Sequence, residues 1–134
     1  MARRIRHIAI AVKDIEKARA LFSMISGTPA SEAQEVPDQR VKVSFIDTGE
    51  TKIELIQPTA GNVGVAKFLE KRGEGLHHIC LEVDNIEATL TEYKREGIRL
   101  IDEQPRVGAE GHRVAFVHPQ STGGVLVEVE EAGH

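Results

Sequence analysis

The sequence predicts an α+β fold built from two copies of a β-α-β-β-β module, and three observations carry that prediction. The first is a repeated strand: Arg6-His7-Ile8-Ala9-Ile10-Ala11-Val12 returns as His77-His78-Ile79-Cys80-Leu81-Glu82-Val83, with the histidines 78 − 7 = 71 positions apart. The second is a repeated helix start, since Asp14 and Asn85 are 85 − 14 = 71 apart and both are residue types that cap helices. The third is a later echo, Lys52-Ile53-Glu54-Leu55-Ile56 against Leu126-Val127-Glu128-Val129-Glu130, which sets the glutamates 128 − 54 = 74 apart.

In the first copy, alternation puts His7, Ala9 and Ala11 on one strand face and Ile8, Ile10 and Val12 on the other. After Asp14, the positions Ile15, Ala18, Leu21, Phe22 and Ile25 follow the helical period, Glu16 lies in the positive first turn, and Gly27 ends the helix. Residues 31–39 are polar and weakly patterned. Strands follow over about 41–46 and 52–56, joined by the turn signal Asp47-Thr48-Gly49-Glu50. Pro58 to Gly61 closes the module. A helix over about 63–72, with Val65, Phe68 and Leu69 at helical spacing and Gly73 and Gly75 after it, connects to the second copy and has no counterpart there. The second copy reads as a strand over 78–83, a helix over 86–95 stopped at Gly97, and strands near 98–101, 113–117 and 125–130.

At 134 residues the chain is long enough for one domain that buries roughly 68% of its unfolded surface. Half that length is marginal alone, and two copies are too few for a stacked array, so the modules are expected to share a core. The reading is one domain over 1–134: module one over about 4–58, the connecting helix over about 62–73 and module two over about 75–131. A net charge of −4 with scattered Lys and Arg and no basic run argues against nucleic acid as a partner. The basic start, Met1 to Arg6, precedes an apolar run too short for a signal peptide or a membrane span, so a cytoplasmic protein without a membrane partner is expected. The single cysteine, Cys80, lies in an apolar strand and reads as a small buried hydrophobe.

His7, His78, Glu54 and Glu128 carry the chemistry. Any one of them alone is more often structural than functional, but four at repeat-related positions are a constellation. A glutamate amid Ile53-Glu54-Leu55-Ile56 or Leu126-Val127-Glu128-Val129 is costly to bury without a cation or a protonated partner. Two modules packed about a pseudo-twofold axis bring two imidazoles and two carboxylates together. That mixed N/O set suits one divalent ion, Co²⁺, Mn²⁺, Ni²⁺, Zn²⁺ or Fe²⁺, and the lack of thiolates argues against structural zinc. Four protein ligands in an octahedral shell leave two positions for substrate oxygens, the arrangement of a Lewis acid acting on an enolate. His77, His112, His118 and His134 read as structural or surface residues. The loop from Val107 to Arg113 fits no phosphate-loop pattern and reads as a hairpin connection.

The chain resembles the vicinal oxygen chelate superfamily and, within it, the methylmalonyl-CoA epimerase family. Four phrases carry the likeness: Glu54-Leu55-Ile56-Gln57-Pro58; Val65-Ala66-Lys67-Phe68-Leu69-Glu70-Lys71; Gly73-Glu74-Gly75-Leu76-His77-His78-Ile79; and His118 through Glu128, which includes Gly123-Gly124-Val125-Leu126-Val127-Glu128. The resemblance implies paired βαβββ modules forming a cup-shaped mixed sheet around a metal site. It also implies His7, Glu54, His78 and Glu128 as metal ligands, inversion of the acidic carbon of an acyl-CoA substrate, and a homodimer. Glu128 and Glu54 are the candidate proton-transfer residues for the two faces of that carbon. Two departures from the family pattern stand out. Val43 occupies the place where some epimerases have a glutamate, and Gln120 the place where many have a lysine available to CoA phosphates. A lactoylglutathione lyase is the nearest enzymatic alternative, disfavoured by His118-Pro119 and the Gly-Gly-Val-Leu-Val-Glu ending. A metal-free ligand-binding protein of the same fold is disfavoured by the four retained donors.

Overall fold

The computed structural model describes residues 3–108 and 111–133, arranged as two compact units, His7–His77 and a second made of the residues up to Arg6 with those from His78 onward. Met1 and Ala2 of the basic start, Ala109 and Glu110 of the loop from Val107 to Arg113, and His134 lie outside the described residues. The first unit holds most of β1 (Ile5–Ala11), then α1 (Ile15–Ser26), β2 (Gln34–Val36), β3 (Val41–Asp47), β4 (Lys52–Pro58) and α2 (Gly64–Arg72). Its strands run in the order β2-β3-β4-β1, with β1 parallel to β4 and the other pairs antiparallel. The second unit holds β5 (Gly75–Val83) from His78 on, α3 (Ile86–Arg95), β6 (Arg106–Val107), β7 (Arg113–Val117) and β8 (Val127–Glu131). Its order is β5-β8-β7-β6, again with one parallel pair, β5 with β8. Each unit is therefore a β-α-β-β-β module, and the α+β reading holds.

Local chemistry sets the helix ends as the sequence predicts. The Asp14 side chain accepts the N–H of Lys17 (3.2 Å), and Asn85 accepts that of Ala88 (3.0 Å). Gly27 closes α1 in the left-handed region at φ 76°, where a side chain would be strained. Asn62 serves α2 by accepting from Val65 and Ala66. Of the apolar positions read on α1, only Ile15 and Ala18 are buried, whereas Leu21 and Ile25 stand exposed. The helix thus anchors through its first turns, against Val12, Ile46 and Leu55.

A longer-range device ties α1 and α3 each to a strand. The Gln57 side chain of β4 accepts the Ile15 N–H at the start of α1 (2.8 Å), and Glu131 of β8 accepts the Ile86 N–H at the start of α3 (3.1 Å). The two accepting residues are 131 − 57 = 74 apart and the two donors 86 − 15 = 71 apart. The repeat therefore extends to a side-chain capping contact. Glu131 is itself held by Arg113, whose guanidinium is kept above the usual arginine range by hydrogen bonds to Glu131 and then Glu87.

One predicted element is corrected. Residues 98–101 form no strand; Leu100 makes a single antiparallel bridge to Val117, and the short β6 lies later, just after Pro105. The reason is local: the helix end consumes the first donors, with Gly97 at φ 80° and the Ile98 N–H bonded back to the Tyr93 carbonyl. The Arg99 N–H goes next to Ser121 Oγ, so the segment meets β7 and the residue after it through the Ile101 and Asp102 N–H groups on the Phe116 carbonyl and the Arg99 carbonyl on the His118 N–H, an isolated bridge in place of a ladder. The apolar core of this unit gathers Val83, Ile86, Leu90, Ala115 and Val129 beneath α3.

Candidate metal centre

In the first unit the parallel β1–β4 register sets Ala9 opposite Glu54. His7 is two residues from Ala9, so its side chain rises on the same face. Ala9 has no accessible surface and no side chain beyond Cβ. Its smallness leaves room for the imidazole and the carboxylate to meet across it. His7 Nε2 stands 3.3 Å from Glu54 Oε1, with the two side chains 6% and 7% exposed.

The second unit repeats this arrangement. The parallel β5–β8 register sets Cys80 opposite Glu128, and His78 lies two residues before Cys80. His78 Nε2 stands 3.1 Å from Glu128 Oε1, with side chains 4% and 10% exposed. Cys80 is fully buried and occupies the place of Ala9, a small residue between the pair. Its burial agrees with the sequence reading.

Two ligands in adjacent positions of an octahedral ion, each with a bond near 2.1 Å, stand about 3.0 Å apart. The separations of 3.3 and 3.1 Å within the two pairs are of that size. The donor chemistry fits as well, because each unit presents one imidazole nitrogen beside one carboxylate oxygen, a combination suited to borderline divalent metals. A carboxylate this deeply buried is costly without positive charge beside it. A divalent cation meets the need of both partners at once, since it binds the neutral form of the histidine. The protein thus carries a candidate His/Glu metal site.

The remaining histidines among the described residues have other surroundings. His77 packs edge-on against Phe68, with centroids 5.0 Å apart. His118 accepts the Gln120 N–H through Nδ1 at 3.0 Å and so starts the short 3₁₀ turn at Pro119. His112 pairs through Nδ1 with Glu130 at 2.9 Å. In the loop, the Gly108 N–H donates to the His112 carbonyl and the Gly111 N–H to the Gly108 carbonyl. Gln120 accepts a close hydrogen bond from Arg99.

Sequence reasoning missed a buried charge network in the second unit. Glu130, 4% exposed, pairs with Arg6 and His112, while Glu82 takes Arg6 at 2.9 Å and Arg4 at 3.3 Å. The signal was present: in Val127-Glu128-Val129-Glu130 the period of two puts Glu130 on the same face as Glu128.

Residues 6–116 match the Glyoxalase/Bleomycin resistance protein/Dioxygenase superfamily. The chain is 46% identical over 130 residues to the mitochondrial methylmalonyl-CoA epimerase of Homo sapiens, covering 96% of this chain and 74% of the relative. It is 41% identical over 133 residues to the ethylmalonyl-CoA/methylmalonyl-CoA epimerase of Cereibacter sphaeroides, covering 98% and 99%. Among solved structures, a variant of Streptomyces coelicolor methylmalonyl-CoA epimerase in complex with 2-nitronate-propionyl-CoA superposes with a TM-score of 0.88 at 29% identity, over 97% of this chain and 94% of that one. With the module plan, the repeated register and this likeness over nearly its whole length, the chain belongs to the glyoxalase/bleomycin resistance protein/dioxygenase superfamily and, within it, to the methylmalonyl-CoA epimerase family.

Proposed function

We propose that this protein is a metal-dependent epimerase that interconverts (2R)- and (2S)-methylmalonyl-CoA. The observation that carries the reading is the half-site built twice, a buried histidine and a buried glutamate in the same strand register in both units, in a chain 46% and 41% identical to two methylmalonyl-CoA epimerases. Inversion requires removal of the proton on the carbon between thioester and carboxylate, and its return to the opposite face. Glu128 and Glu54 are the proposed proton carriers.

His7, Glu54, His78 and Glu128 are proposed to hold one divalent ion, Co²⁺ in preference to Mn²⁺, Ni²⁺ or Zn²⁺. Such an ion supplies the Lewis acid that stabilises negative charge on the substrate's thioester and carboxylate oxygens. The glutamates then have two duties, holding the ion and moving the proton. Val43 leaves no carboxylate at its place on β3, so Glu54, which pairs with Phe45 two residues further along that strand, is the group of the first unit proposed for proton transfer. We take the working form to be a cytoplasmic homodimer, the commonest symmetric assembly.

The test is isotope exchange. Protein reconstituted with Co²⁺ and incubated with (2S)-methylmalonyl-CoA in deuterated water is expected to incorporate one deuterium at C2 while the 2R epimer appears. The same assay on ethylmalonyl-CoA reads acyl selectivity. Exchange no faster than in buffer with Co²⁺ alone would sink the proposed activity. Turnover of the methylglyoxal–glutathione adduct in its place would reassign the protein as a lactoylglutathione lyase.

A further inference from the structure

The two half-sites share an aromatic support. Phe45 pairs directly with Glu54 across the antiparallel β3–β4 ladder, and Phe116 pairs directly with Glu128 across β7–β8. The Phe45 ring meets the His7 imidazole edge-on, with centroids 6.4 Å apart and planes at 69°. Phe116 meets His78 in the same way but closer, at 5.3 Å and 86°. Each phenyl ring also carries a cation: Lys52 Nζ lies 5.6 Å from the Phe45 centroid and the Arg106 guanidinium carbon 5.5 Å from that of Phe116. The phenylalanines are 116 − 45 = 71 apart, the offset of the histidines, whereas the cations are 106 − 52 = 54 apart. The cations therefore come from non-equivalent positions, Lys52 from the start of β4 and Arg106 from β6. A cation over the ring is met in both units without being a simple copy of one by the other.

We propose that Phe45 and Phe116 are positioning residues that fix the planes of the His7 and His78 imidazoles, so that each Nε2 faces its glutamate before an ion arrives. The inference rests on the metal reading above. An imidazole turns in a broad twofold torsional well, so its strand alone does not aim the nitrogen. A metal ligand has to be held to within about 10–20° of its productive orientation. A phenyl ring nearly perpendicular to the imidazole resists that rotation, and the cation over the phenyl face holds the phenyl in turn. Both phenylalanines are only half-buried, so neither is a fully enclosed core residue. The shorter and more nearly perpendicular contact at Phe116 makes His78 the better-held ligand.

Phe116→Leu keeps apolar bulk and removes the ring, while Phe116→Tyr keeps the ring. Co²⁺ affinity measured by calorimetric titration, the visible spectrum of bound Co²⁺, and the thermal midpoint of the metal-free protein separate positioning from folding. Phe116→Leu is expected to weaken Co²⁺ binding about threefold to tenfold and to shift the Co²⁺ spectrum. Phe45→Leu is expected to follow with a smaller loss, and Phe116→Tyr to stay within about twofold of the unaltered protein. Phe116→Leu binding Co²⁺ as the unaltered protein does would overturn the proposal, as would Phe116→Tyr losing as much affinity as Phe116→Leu. If Phe116→Leu also lowers the metal-free midpoint, the tyrosine variant decides. An unaltered protein that takes up no Co²⁺ would bring down the metal reading itself, and the positioning role with it. Normal Co²⁺ uptake together with indifferent variants would bring down the positioning role alone.

Discussion

A glutamate inside a strand core survives only where a small neighbour makes room and a partner meets its charge. Ala9 and Cys80 supply the room, and His7 and His78 stand within 3.3 and 3.1 Å of the two carboxylates. Replacing Glu128 by Gln keeps the shape and one oxygen donor but removes a group that accepts a proton. Loss of a general base typically costs about 10²–10⁴ in rate, so Glu128→Gln is expected to reduce exchange at C2 by at least about a hundredfold while retaining fold and measurable metal binding. Circular dichroism and metal titration alongside the deuterium assay check this. Glu54→Gln discriminates more sharply, because Val43 leaves the first unit without another carboxylate at the expected place on β3. A loss of about a hundredfold with metal retained is expected and would give Glu54 the base role. An unimpaired rate would leave Glu54 a ligand only.

At the scale of elements, α1 and α3 are each fastened at the N-terminus by a side chain from the strand that carries the buried glutamate. Gln57 lies three residues beyond Glu54, and Glu131 three beyond Glu128. Loss of a helix-capping acceptor costs about 1 kcal/mol, so Gln57→Ala should lower the unfolding free energy by about that amount in urea titrations, with m unchanged. Glu131→Ala should cost more, since Glu131 also holds Arg113 at 3.0 Å. These contacts were not legible in the sequence, because capping was read locally and Gln57 and Glu131 reach back 42 and 45 residues to their donors. Local caps such as Asp14 and Asn85 were legible, since donor and acceptor are three residues apart. The same distinction explains the missing strand at 98–101, whose apolar residues carried a strand pattern while the Ile98 N–H was taken by the end of α3 and the Arg99 N–H by the Ser121 side chain, 22 residues on. Glu130 escaped for a related reason: its partners Arg6 and His112 come from other strands and loops, and only the alternation in β8 hinted at its burial.

At the scale of the whole molecule, the repeat poses a question of stoichiometry. Each unit holds one His/Glu pair, and two donors per ion make a weak site, whereas four donors around one ion make a strong one with room left for substrate. If the pairs serve a single ion, calorimetric titration of the metal-free protein should give one Co²⁺ per chain. His7→Ala and His78→Ala should then each depress the affinity of that one ion by at least about tenfold, and neither should leave a full-affinity site behind. If each pair bound an ion of its own, the protein would take two equivalents and each variant would lose one of them with the other intact. The shared reading also predicts stability. An ion that binds only the folded chain adds about 2.7 kcal/mol when supplied at a hundred times its dissociation constant, and a chain of 134 residues gains a few degrees in thermal midpoint per kcal/mol. Co²⁺ at that excess should raise the midpoint by about 5–10 °C over protein treated with a chelator, and His78→Ala should lose most of the increase. Two equivalents of tightly bound Co²⁺, or a His78→Ala variant stabilised as fully as the unaltered protein, would separate the two pairs and end the case for one shared centre.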